Sequence, residues 1–193
     1  MRRILLAAAL AITAPAIVPS KAAAVDDDAA LFMERFGGEW RGSGRLLVGP
    51  ESGLRFHCAL AGDPSRSQMA FGMTGRCWTG SLSAPVYARL RYSSDQKQFF
   101  GSFMDGAEGD GANIVGERSG EGFMLKLVRG ELQGRLAAEP AGPGKMTVTL
   151  SLYDPGSGRT LPVAAMGFAR PDADALPIYD PTVTGSIERT GER

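Results

Sequence analysis

The chain has 193 residues, of which 44% are hydrophobic and 22% charged, and 21 basic residues balance 21 acidic ones. That length fits one domain plus tails, and the composition is ordinary for a soluble globular protein. The 26 glycines follow no collagen-like period, and the even charge gives no electrostatic reason for a nucleic acid or an anionic membrane as partner.

The first segment reads as a targeting signal. Arg2 and Arg3 form a positive start, an apolar run covers 4–14, and Ala22, Ala23 and Ala24 supply the small residues of a cleavage site. The run is short for a membrane span, and Pro15 and Pro19 follow it. Cleavage is therefore expected after Ala24, giving a signal peptide over 1–24, a domain over 25–170 and a periplasmic or secreted location. No cysteine lies near the cut, which excludes a lipoprotein. Removal of Arg2, Arg3 and Lys21 leaves 18 basic residues against 21 acidic ones.

Asp26, Asp27 and Asp28 can cap a short helix over 29–36, which Gly37 and Gly38 stop. The hydrophobic period then changes to two. Strands are expected over 39–48, 54–60, 68–78, 86–92, 98–104, 112–117, 123–128, 131–137, 146–153 and 160–169, separated by turns rich in Gly, Pro, Asp and Ser. Nine or ten short strands without an internal crossover helix mean an all-β fold. Short turns favour an antiparallel up-and-down barrel. Beyond position 170 the chain is rich in Pro, Asp, Thr and Ser, so 171–193 reads as a disordered tail in which Leu176 and Ile178 alone invite docking.

Cys58 and Cys77 are the two cysteines, and in an oxidising compartment they form one disulfide. A hairpin turning at Asp63-Pro64 would place Cys58 opposite Met69. The bridge therefore needs a bulge, a later turn, or pairing of non-adjacent strand ends.

The segment Phe36-Gly37-Gly38-Glu39-Trp40-Arg41-Gly42-Ser43-Gly44 resembles the opening of lipocalin-like (calycin) barrels. The resemblance implies that Trp40 closes one end of a barrel beneath a basic side chain from the last strand, for which Arg170 is the matching residue. Over about 32–169 the chain also resembles a group of small exported alphaproteobacterial proteins with a Phe-x-Gly-x-Trp-x-Gly-x-Gly start and two cysteines about twenty positions apart. Phe36, Gly38, Trp40, Gly42, Gly44, Cys58 and Cys77 carry that likeness, which implies an envelope location and no particular activity.

No catalytic constellation is visible, so an enzyme is not expected. His57, the one histidine, lies on the strand face opposite Phe56 and Leu60 and reads as a solvent-facing side chain. Two cysteines and one histidine do not make a closed zinc site. Asp105, Glu108 and Asp110 lack the spacing and helices of an EF-hand and read as a solvated loop. No metal or cofactor is expected. Arg89 and Arg91, near Tyr87, read as an outer face with snorkelling side chains.

Phe56, Met69, Phe71, Met73, Leu90, Phe99, Phe103, Phe123 and Leu125 would face inward. Such a lining fits a side-chain-filled core or a small apolar ligand held in the barrel, to which methionines adapt well. The first expectation is a non-enzymatic apolar-ligand binder. The alternative is an envelope interaction module, an inhibitor or assembly factor, acting through its outer surface, with Phe100, Met104 and Met124 as a candidate patch.

Overall fold

The computed structural model describes residues 26–106 and 111–173. The expected signal peptide, most of the tail, and Glu108 and Asp110 lie outside them.

The first element is the helix α1, Asp27–Glu34. The Asp26 carboxylate accepts a hydrogen bond from the Ala29 N–H at 3.2 Å, satisfying one of the free donors of the first turn. Gly38 follows at φ +85°, a conformation that disfavours any side chain, and turns the chain into the sheet.

Ten strands follow: β1 Gly38–Leu46, β2 Arg55–Ser65, β3 Ala70–Thr79, β4 Leu82–Ser93, β5 Gln98–Met104, β6 Ala112–Ser119, β7 Gly122–Arg129, β8 Leu132–Pro140, β9 Lys145–Asp154 and β10 Arg159–Ala169. Each pairs antiparallel with the next, and β1 pairs with β10, so the sheet is a closed up-and-down barrel. Closure removes the free edges that so long a meander would expose. A register shift in β10 between Pro162 and Ala164 bends the wall near the seam.

Inward positions alternate large and small across neighbouring strands. Gly42 stands opposite Phe168, and Gly44 opposite Phe56 and Met166. A Cβ on Gly42 would collide with the Phe168 ring. Bare backbone at these positions makes room for the neighbour's bulk, which is how a narrow barrel is filled.

Two expectations are corrected. Asp63 and Pro64 are strand residues: β2 and β3 stay paired as far as Ser65 and Ala70. The turn falls at 66–69, closed by the Met69 N–H on the Arg66 carbonyl at 3.2 Å. Met69 therefore sits in the turn, at φ +48°, and not in the strand expected over 68–78. The later turn brings Cys58 directly opposite Cys77, and the two are joined in a disulfide with their Cα atoms 4.1 Å apart. The sequence left this geometry open because Asp-Pro is a strong turn signal, and here pairing over nine residue pairs of the hairpin overrides it.

Candidate functional site

The two ends of the barrel differ. Helix α1 caps one end. Phe32, Met33 and Phe36 enter the interior and are buried. The Phe32 ring meets Phe123 at 4.7 Å, Phe36 at 5.4 Å and Phe99 at 5.9 Å between centroids. Phe71, Leu90, Trp40, Met146 and Phe168 complete this packed end. Such edge-to-face and tilted aromatic contacts add to the burial of the rings themselves. Polar groups fasten the helix from outside. Arg118 lies over the Phe32 ring at 4.9 Å and pairs with Asp28 at 2.9 Å. Arg35 pairs with Glu121 at 2.7 Å and holds that carboxyl below the usual carboxylate range.

Among the described residues no helix covers the other end. There the inward-facing Phe56, Met73, Val86, Phe103, Leu136, Leu150 and Met166 are only partly buried. Their register points them into the barrel, so the surface they leave exposed is apolar and faces its interior. The lip continues this lining. Leu46, Leu82, Leu132, Leu152 and Leu161 hold inward register positions at or near the ends of their strands, and Leu54 directly precedes β2. Leu82 is 72% exposed and Leu132 61%. The Leu46 N–H donates to the Leu54 carbonyl at 3.0 Å, tying two of these residues together. Leu152 stands opposite Leu161.

One ion pair stands on this inner rim. Arg129 continues the inward series Phe123, Leu125, Leu127, and its Nη2 reaches Asp105 at 3.1 Å. The Arg129 Nε–H is buried without an acceptor. Among the described residues, no group of three or more His, Cys, Asp or Glu stands together as a metal centre would require.

The residues singled out in the sequence divide between these regions. Phe71, Leu90, Phe99, Phe123 and Leu125 belong to the packed interior. Phe56, Met73 and Phe103 line the open half. Met69 lies in the 66–69 turn. His57 is on the outer wall beside Trp78, with ring centroids 6.1 Å apart. Trp40 and Arg170 meet at the capped end. Phe100 and Met124 are half-buried on the outer wall, and of that trio Met104 alone is largely exposed. Sequence reasoning missed the leucine lip and the Arg129–Asp105 pair. The parity of Arg129 with Leu125 and Leu127 was the signal available for the second.

No protein family matches the chain, and no curated protein matches it in sequence. Among solved structures, the S-type phycobiliprotein lyase of Guillardia theta is similar to this chain, with a TM-score of 0.52 and 10% sequence identity, over 77% of this chain and 98% of the lyase. At that identity the likeness is one of fold: the chain is a closed, ten-stranded antiparallel barrel similar in fold to that lyase.

Proposed function

We propose that the protein binds a small apolar ligand in the uncapped half of its barrel and carries out no chemistry on it. The observation that supports this reading is the asymmetry of the interior. Aromatic packing fills the helix end, while the opposite half keeps inward-facing apolar side chains exposed behind a lip of leucines. Exposed apolar surface of this kind is unfavourable in water unless something covers it. The calycin-like fold is compatible with a ligand in that place.

The ligand's body lies against Phe56, Met73, Phe103, Leu150 and Met166, of which the methionines adapt to its shape. Arg129 offers its buried Nε–H to one acceptor on the ligand near the lip, while Asp105 keeps the guanidinium in position. The protein works outside the cytoplasm after cleavage of residues 1–24. The Cys58–Cys77 disulfide is compatible with an oxidising compartment, and no described helix is long and apolar enough to cross a membrane.

Titration with the uncharged dye N-phenyl-naphthylamine tests this function. The dye should bind saturably and brighten, and Ala84→Phe, which adds a ring at an inward position of the open half, should weaken it. A dye signal that never saturates, or that Ala84→Phe leaves unchanged, would contradict the reading.

A further inference from the structure

The outer wall carries a glycine that packing does not require. Inner-face Gly44, Gly75, Gly101 and Gly116 each sit where a Cβ would strike a neighbour. Gly72 in β3 faces outward, between Asp63 of β2 and Arg89 of β4. The nearest atom to a Cβ placed there is the Asp63 carbonyl oxygen at 3.7 Å, an ordinary contact, and Gly72 is not among the glycines at positive φ. A glycine inside a strand weakens it unless the missing side chain serves a purpose. At Gly72 the effect of the missing side chain is open space: it floors a groove of about 550 Å³.

One wall of the groove carries Arg89 and Arg91, two residues apart on one face of β4 and so about 7 Å apart along the strand. Among the described residues the ion pairs use other arginines, and no described carboxylate lies within 4.0 Å of either. On β5, Ser102 stands directly opposite Arg89 and lines the same groove. Next along the wall, Tyr87 and Met104 form a cross-strand pair, 48% and 42% exposed. Asp63 stands on the far wall, two strands and about 10 Å from Arg89.

We propose that this groove is a second binding site, separate from the interior, for a small organic oxyanion: a carboxylate or phosphate monoester with an aromatic or short apolar body. Two free guanidinium forks recognise such an oxyanion by charge-assisted hydrogen bonds. The Tyr87 ring and the Met104 side chain receive the body. Asp63 repels a second negative charge, which limits the ligand to one anionic end.

NMR titration of the full chain with phenyl phosphate, phenylacetate and inorganic phosphate tests the site, and the first two distinguish a phosphate from a carboxylate ligand. Saturable shifts are expected at the Gly72 and Ser102 amides with at least one aromatic probe, with weaker binding of inorganic phosphate. The double variant Arg89→Gln/Arg91→Gln should bind the probe roughly tenfold more weakly or worse, since two charge-assisted contacts are lost. Gly72→Leu should fill the groove and abolish the shifts while dye binding in the barrel persists. Absence of saturable shifts at those amides, undiminished affinity in the variants, or equal affinity for inorganic phosphate would overturn the proposal.

Discussion

The Arg170 guanidinium lies over the Trp40 indole, 4.8 Å from the ring centroid, and its Nη2 donates a 2.9 Å hydrogen bond to the Arg35 carbonyl. Trp40 in turn donates from its indole N–H to the Phe36 carbonyl at 3.0 Å. The end of β10, the start of β1 and the end of the helix are thus fastened at one point. Trp40→Ala removes a large buried side chain and that hydrogen bond together, and should cost about 3–5 kcal/mol of stability by urea denaturation. Arg170→Ala leaves the indole in place and should cost about 1 kcal/mol, the worth of a partly exposed cation–π contact and one hydrogen bond.

The disulfide links β2 to β3 across a sequence separation of 19. Cys58→Ser with Cys77→Ser should lower stability by about 3 kcal/mol through the greater freedom of the unfolded chain. The unmutated protein should show a similar drop when a reductant is added, and thermal melts that are identical with and without reductant would count against it.

The strand glycines provide an opposed pair of substitutions. A Cβ on Gly101 would collide with the Arg89 carbonyl, so Gly101→Ala should destabilise by about 1–3 kcal/mol through overpacking. A Cβ on Gly72 comes no nearer than 3.7 Å to any neighbour, so Gly72→Ala, at an ordinary strand conformation, should stabilise by about 0.5 kcal/mol by restricting the unfolded chain. Chemical denaturation of both variants measures the contrast.

Burial raises the Tyr92 phenol above its ordinary value of 10.0, and the nearby Asp26 and Asp28 carboxylates add to the rise. The folded protein therefore holds this proton more tightly than the unfolded chain. The resulting stability is fully present below pH 10.0 and is lost as the pH rises through the folded value. Denaturation midpoints should fall as the pH rises above 10.0, and Tyr92→Phe should flatten the fall. A decline of equal steepness in the variant would assign it to other groups.

Much of the barrel is legible in the sequence because a period of two survives in nearly every strand. Phe99, Gly101 and Phe103 alternate cleanly, and so do Met146, Val148 and Leu150, and these residues face inward in the structure. The β2–β3 turn was not legible, because the Asp63-Pro64 pair carries a turn signature while the turn at 66–69 depends on Met69 adopting positive φ. The division of the interior was not legible either. Phe99 and Phe103 lie on the same face of one strand, and only the helix seated on one end buries the first more deeply than the second. The lip was hidden because Leu82 and Leu132 start their strands and Leu54 directly precedes one, where sequence periodicity gives no sign that they share a ring.

The central claim, an apolar ligand in the uncapped half of the barrel, is tested most directly by mass spectrometry of protein recovered from the periplasm of an expressing cell. The account predicts an excess mass under native conditions that disappears on denaturation, leaves the Gly72→Leu variant unaffected, and is reduced by Ala84→Phe. An intact mass equal to the bare chain under native conditions, together with no saturable uptake of an apolar dye, would contradict it.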